Sequence, residues 1–157
     1  MKNKLFLNSL IVLSFLSLSF AYFVEFALGH EPCNLCKIER IPYIGAIILG
    51  SLIIFINKWE KTILILILLL FIFGTLTSIY HVGIEHGFFE ESLLCDLGTN
   101  NEIQNTEELL KTLENTTVSC KEVTFRILGL SLATFNAVLS FFISVIILVI
   151  LRKNEQN

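Results

Sequence analysis

Four long apolar stretches alternate with polar segments along the chain. They cover approximately residues 5–28, 37–56, 63–80 and 125–151, and charged residues lie between them. A helix that crosses the hydrocarbon core of a membrane needs about 20 predominantly apolar residues. The pattern therefore predicts an all-α integral membrane protein, a four-helix bundle that forms one domain over residues 1–157.

The second stretch is short for a membrane span. From Ile41 to its end it reaches only about 24 Å at about 1.5 Å per residue, which is less than the core thickness of about 30 Å. We therefore expect its helix to begin near Lys37, which draws Arg40 to the membrane edge and leaves Cys36 just outside. Pro42 leaves open whether this helix is continuous.

Basic residues define the orientation of the spans. They flank the apolar stretches on one side, at Lys2, Lys4, Lys58, Lys61, Arg152 and Lys153. By the positive-inside rule this side is cytoplasmic, so both termini are predicted inside and two loops outside. The first stretch exceeds the usual 7 to 15 apolar residues of a signal peptide, so we expect a retained anchor.

The second outer loop, residues 85–122, is rich in acidic residues. Asn105 resembles a helix N-cap, since Glu108 follows three residues later. Leu109, Leu110 and Leu113 then share one helical face. A short amphipathic helix on the membrane surface is predicted here.

Composition agrees with a membrane protein. Of the 157 residues, 54% are hydrophobic and 16% are charged, and the mean hydropathy is +0.76. The formal charge is only -3, and the basic residues form no stripe, so a nucleic-acid interface is not indicated.

All four cysteines fall in the predicted outer loops, which favours redox chemistry over simple packing. Cys33 and Cys36 form a Cys-x-x-Cys pair, a pattern that also occurs in zinc sites and structural disulfides. Cys95 and Cys120 are too far apart for zinc-knuckle spacing, so no metal site is predicted. A helix N-terminus and nearby positive charge would favour a reactive thiolate at the first pair.

Arg40 lies four residues after Cys36, at the predicted membrane edge. An arginine in this position is costly unless it reaches water or a partner. It is either an ordinary interfacial anchor or a donor to a quinone carbonyl, where it would stabilise the negative charge of the reduced form.

Three segments resemble the DsbB family of quinone-dependent, disulfide-forming membrane proteins. They are Pro-Cys-Asn-Leu-Cys-Lys-Ile-Glu-Arg at 32–40, Tyr-His-Val-Gly-Ile-Glu at 80–85, and Leu-Gly-Leu-Ser-Leu-Ala at 128–133 with Asn136. The second cysteine pair and the four-span layout agree. In that family a relay from DsbA through DsbB to quinone keeps the bacterial periplasm oxidising.

The resemblance implies a role for each cysteine. A DsbA-like thioredoxin-fold dithiol would attack Cys95, with Cys120 as the leaving sulfur. Cys33 would then exchange with Cys120, and Cys36 would reduce the quinone, which is ubiquinone or menaquinone.

The resemblance also places Arg40 and His81 beside the quinone, although His81 is equally compatible with an interfacial role. It implies a multi-pass protein of the bacterial inner membrane with periplasmic cysteines.

Two other interpretations remain open from sequence. A protein like vitamin K epoxide reductase also carries Cys-x-x-Cys on a helix bundle, but there the active pair lies late in the chain. A structural membrane protein with disulfide-stapled loops would have no electron acceptor.

Overall fold

The structure is a computed structural model that describes residues 4–55, 59–90, 95, 119–121, 125–127 and 129–155. Its elements in chain order are α1 (Lys4–Phe26), α2 (Asn34–Ile38), α3 (Ile41–Phe55), α4 (Glu60–Glu85), β1 (Arg126–Ile127), β2 (Leu130–Ser131) and α5 (Leu132–Glu155).

Three of these helices are long and apolar enough to cross a membrane. The candidate spans are Leu5–Phe26, Glu60–Glu85 and Leu132–Lys153. Many large apolar side chains on them face outward, such as Leu76 and Phe142, which is the arrangement expected of a surface in contact with lipid. The prediction of a helical membrane protein is confirmed, whereas a fourth span remains a prediction because α3 has only 15 residues.

Helix α4 is the central element. It packs against α3 on one side and α5 on another, and α1 packs against α3. The core between them is built from fully buried side chains such as Phe71 of α4, Leu7 of α1 and Ile147 of α5. The ring of Tyr43 of α3 meets that of Phe71 edge-on, with centroids 5.5 Å apart.

The second apolar stretch does not form one continuous helix. Helix α2 ends at Ile38 and α3 begins at Ile41, so the expectation that a single helix extends back to Lys37 is wrong. The backbone carbonyl of Arg40 accepts the first hydrogen bond of α3, from the Ile44 amide at 3.1 Å. Pro42 sits in the first turn of α3, where its missing N–H is not needed.

Other helix boundaries also differ from the predictions. Helix α4 continues to Glu85 instead of ending at residue 80, because the backbone hydrogen bonds persist past the polar His81. Residues 126–127 and 130–131 form a two-stranded antiparallel hairpin in place of helix, with Arg126 opposite Ser131. Gly129 in its turn has a φ of 84°, a left-handed value that glycine adopts readily.

The predicted amphipathic helix, with Asn105, Glu108, Leu109, Leu110 and Leu113, lies outside the described residues.

Candidate active site

Cys33 and Cys36 lie on the short helix α2, just before α3. Cys33 is the N-cap of α2, and its Sγ accepts a hydrogen bond from the Cys36 amide at 3.3 Å. The two Sγ atoms are 2.9 Å apart. The Cys-x-x-Cys spacing thus brings the two sulfurs together because one turn of helix separates them.

The two thiols of this pair differ in acidity. The hydrogen bond from the Cys36 side chain lowers the pKa of the Cys33 thiol to about 4, and the contact with His81 also lowers it against the opposing effect of burial. The same hydrogen bond and burial raise the pKa of Cys36 above its ordinary value. Cys33 is therefore the thiolate of the reduced pair and Cys36 the thiol, because two negative charges at this distance are unfavourable.

The second pair lies beside the first. Cys95 and Cys120 are joined by a disulfide, with Cα atoms 5.9 Å apart. Both belong to one buried cluster with Cys33, Leu35 and Ile84. The fold therefore brings together two cysteine pairs that are far apart in the sequence, with one pair oxidised and the other reduced.

A chain of polar contacts leads away from Cys33. Nε2 of His81 lies 3.6 Å from Sγ of Cys33, and Nδ1 of His81 lies 2.9 Å from Oε1 of Glu39. The other oxygen of Glu39 accepts a hydrogen bond from Asn136 at 3.0 Å. Asn136 also donates to Ser78 at 2.7 Å and accepts from the hydroxyl of Tyr43 at 2.5 Å.

These contacts satisfy groups that are withdrawn from water. Glu39, His81 and Ser78 are all buried. A buried carboxylate is costly unless it is hydrogen-bonded, and each oxygen of Glu39 has a partner. The network therefore fixes the position of Glu39 at the break between α2 and α3.

Arg40 points to α1. Its Nη1 lies 2.5 Å from Oε2 of Glu25, and its guanidinium carbon lies 4.7 Å from the centroid of the Tyr22 ring. The ion pair and the cation–π contact account for an arginine at the edge of the apolar helices.

A cavity of about 330 Å³ lies between α1, α3 and α5 next to the cysteines. Its walls include most of the predicted site residues: Cys33, Cys36, Arg40, His81 and Cys120. Cys95, the remaining predicted residue, belongs to the buried cluster with Cys33 and Cys120. Phe20 of α1 and Phe135 of α5 also line the cavity, and each is about two-fifths exposed at the outer face of the helices.

The cavity has the dimensions and walls of a site for an organic ligand. Ligand cavities commonly have volumes of about 300–1,000 Å³ and apolar walls with a few polar groups, as this one has. Cys33, Cys36 and His81 have potential ligand atoms within 4.8 Å of one another. These are three groups among the described residues, one fewer than the four ligands of a structural zinc site.

Glu39 and Asn136 are among the network residues that were not assigned a role from sequence. A signal was present for each. Glu39 is an acid next to the basic Arg40 where an apolar helix begins, and Asn136 is an amide within an apolar span. Polar groups in such surroundings require partners, which is the reason to suspect a site.

These features define a class of protein: a helical membrane protein with two adjacent cysteine pairs, one of them beside an apolar cavity. Comparison with known sequences narrows the class. The family described as disulfide bond formation protein DsbB matches residues 3–150. An uncharacterized protein of Rickettsia prowazekii is 30% identical over 152 residues, which cover 94% of this chain and 87% of the relative. No solved structure shows significant similarity.

The chain belongs to the DsbB family. Its members are membrane oxidoreductases with redox-active cysteines, and the family acts in disulfide bond formation by reoxidising DsbA.

Proposed function

We propose that the protein is a dithiol:quinone oxidoreductase of the bacterial inner membrane. It reoxidises a periplasmic DsbA-like thioredoxin-fold protein and passes the two electrons to ubiquinone or menaquinone. The observation that carries this proposal is the position of the cavity, which touches both cysteine pairs through Cys36 and Cys120 and contains Arg40.

The first half of the reaction takes place at the disulfide. A thiolate of the reduced partner attacks Cys95, and Cys120 leaves as the second sulfur. The second partner thiolate then attacks the mixed disulfide, so the partner departs oxidised and Cys95 and Cys120 are left as thiols. Cys120 next attacks Cys33 of the oxidised Cys33–Cys36 disulfide, and Cys95 then displaces Cys33, so Cys95–Cys120 re-forms and Cys33 and Cys36 become thiols. The proximity of Cys33 and Cys120 in one buried cluster supports this exchange between the two loops.

The second half takes place at the cavity. The quinone supplies a two-electron, two-proton acceptor. Cys36 and Arg40 line the cavity and would hold the ring against the dithiol, with the guanidinium donating to a carbonyl oxygen. The half-exposed rings of Phe20 and Phe135 form an apolar rim through which an isoprenoid tail can extend into lipid.

The membrane arrangement follows from the same reaction. The cysteines belong on the periplasmic side, because the partner is a soluble periplasmic protein. Both termini are then cytoplasmic, with α3 as a short fourth span and residues 85–122 as a periplasmic loop. The basic residues Arg152 and Lys153 in the last turn of α5 support this orientation.

The purified full-length chain in detergent tests the proposal. Reduced thioredoxin-fold partner is added with ubiquinone-1 or a soluble menaquinone, and quinone reduction is followed by its ultraviolet absorbance. We expect turnover with the unaltered protein and a loss of at least about 100-fold in Cys36→Ser, because the Cys33–Cys36 disulfide cannot re-form without the Cys36 sulfur.

His86→Gln is the matched control, since His86 is an exposed histidine whose ring bonds to the Val82 carbonyl near the same helix end. This variant should keep normal turnover. Normal turnover in Cys36→Ser would overturn the mechanism, and absence of turnover with either quinone would overturn the function.

A further inference from the structure

His81 is placed between a sulfur and a carboxylate. Its Nε2 lies 3.6 Å from Sγ of Cys33, and its Nδ1 lies 2.9 Å from Oε1 of Glu39. We propose that His81 is a catalytic base that takes the proton of the Cys33 thiol, and that Glu39 is the residue that positions it. The inference deepens the proposed function and rests on it for the identity of the electron acceptor.

The contact with Glu39 determines which ring nitrogen of neutral His81 carries the proton and which one is free to accept a proton from Cys33. A hydrogen bond from Nδ1–H to Glu39 fixes the tautomer of a neutral imidazole and leaves the lone pair of Nε2 toward Cys33. A proton gained at Nε2 produces an imidazolium, which the same carboxylate stabilises. This is the arrangement that activates a nucleophile through a base oriented by a third group.

Glu39 is itself held in place. Its second oxygen accepts from Asn136 of α5 at 3.0 Å, and Asn136 is also bonded to Ser78 of α4 and Tyr43 of α3. The Asn136 amide that holds this carboxylate is therefore tied to three helices. A carboxylate with both oxygens engaged cannot turn away from His81 without breaking a buried hydrogen bond, which is unfavourable.

The charges around His81 agree with this role. From the first loop it faces Cys33, Cys36 and Glu39, and from its own helix it faces Glu85, whose Oε1 lies 3.8 Å from Nε2. Asn136, the α5 residue that joins this network, is uncharged. The basic Arg40 next to Glu39 is engaged by Glu25. Negative groups therefore surround the ring, and they favour a proton on it once Cys33 is a thiolate.

The step balances when the Cys33–Cys36 disulfide is re-formed. Cys33 and Cys36 together release two electrons and two protons, and one S–S bond forms. The quinone accepts both electrons and both protons and leaves as the hydroquinone. His81 takes the proton of Cys33 as the thiolate forms and passes it on toward the cavity, whose wall it shares with both sulfurs.

The test measures the alkylation of Cys33 by iodoacetamide in the fully reduced full-length protein, without quinone, from pH 4 to pH 9. Mass spectrometry identifies the alkylated peptide. In His81→Gln, which cannot hold the proton, we expect alkylation at pH 4 to slow by at least about fivefold, because an inflection that moves from about pH 4 to about pH 5 lowers the thiolate fraction at pH 4 from about one half to about one tenth. The inflection of the pH profile should move to higher pH.

Glu39→Gln keeps a hydrogen-bonding group beside Nδ1 but removes the charge. It should shift the profile in the same direction and slow quinone reduction, and it decides the question if His81→Gln does not fold. His86→Gln, the exposed control, should give the unaltered profile.

Profiles of His81→Gln or Glu39→Gln that coincide with that of His86→Gln would overturn the inference. Because alkylation requires no quinone, this failure is distinct from an absence of quinone turnover, which would overturn the proposed function.

Discussion

The guanidinium of Arg40 is held against α1 by the carboxylate of Glu25, with Nη1 and Oε2 2.5 Å apart. Both side chains are largely shielded from water, with 13% and 21% of their surfaces exposed. The pair joins the first loop to the first span beside the cavity. A quinone carbonyl would therefore meet an arginine whose position is already fixed and whose charge is partly balanced.

Removal of the Glu25 charge should destabilise this junction. We expect Glu25→Gln to lower the free energy of unfolding by about 1–3 kcal/mol, since a partly buried guanidinium then loses its ionic partner. Thermal unfolding in detergent, followed by circular dichroism, measures the change. Tyr22→Phe keeps the ring under Arg40 and should change stability by less than about 0.5 kcal/mol. Equal stability of Glu25→Gln and the unaltered protein would show that the pair contributes nothing.

Asn136 should contribute more to stability than other polar residues of α5. Asn136→Ala leaves an oxygen of Glu39 and the hydroxyl of Tyr43 without this partner, which should cost about 2–4 kcal/mol. Ser144, two turns later, bonds only to a carbonyl of its own helix in the described contacts, so Ser144→Ala serves as the control. Unfolding in mixed detergent gives both values. Equal stability of Asn136→Ala and Ser144→Ala would contradict the claim that the network around Asn136 stabilises the fold.

Gly74 allows α4 to approach α3 closely. A Cβ at this position would lie 2.8 Å from Cγ of Pro42, a rigid ring, whereas a Cβ at Gly45 would meet the terminal methyl of Leu70, which can rotate. We expect Gly74→Ala to destabilise the protein by about 1–3 kcal/mol. Gly45→Ala should have a smaller effect, because the higher helix propensity of alanine offsets the contact with the Leu70 side chain. A larger loss at Gly45 than at Gly74 would contradict this packing.

The two thiols of the first loop should titrate separately. The pKa of Cys33 is lowered to about 4 and that of Cys36 is raised, so Cys33 is a thiolate at all pH values above about 4 and loses its reactivity as the pH falls through this value. Cys36 should react only at a higher pH than Cys33. The alkylation rate of each cysteine in the reduced protein is measured against pH by mass spectrometry. The pH at the inflection of each curve reports the pKa of that thiol and does not depend on how exposed the thiol is. Coincident inflections near the ordinary pKa of about 8.5 would contradict the assignment.

Sequence alone was sufficient for the parts of the molecule that depend on local composition. The apolar stretches predict the long helices, and the spacing of Cys33 and Cys36 predicts that their sulfurs meet. The boundaries were less accurate. His81 and Glu85 suggested the end of a span, but both lie within α4, where tertiary partners compensate for their polarity.

The polar network could not be predicted in the same way. Glu39 and Asn136 are 97 positions apart, and their contact depends on how α5 is rotated relative to the first loop. Hydrophobic periodicity does not determine this rotation, because these helices are apolar on almost every face. The partner of Arg40 was missed for the same reason, since Glu25 lies in a different helix.

The central claim is that electrons from a partner dithiol pass through both cysteine pairs to a quinone. An anaerobic reaction with a limiting amount of reduced thioredoxin-fold partner tests it directly, with the oxidised full-length protein in catalytic amount and ubiquinone-1 or a soluble menaquinone in excess. Quinone reduction is read by absorbance, and partner thiols are counted after an acid quench. We predict one quinone reduced for each partner disulfide formed. Partner oxidation without quinone reduction, or no oxidation at all, would contradict the claim.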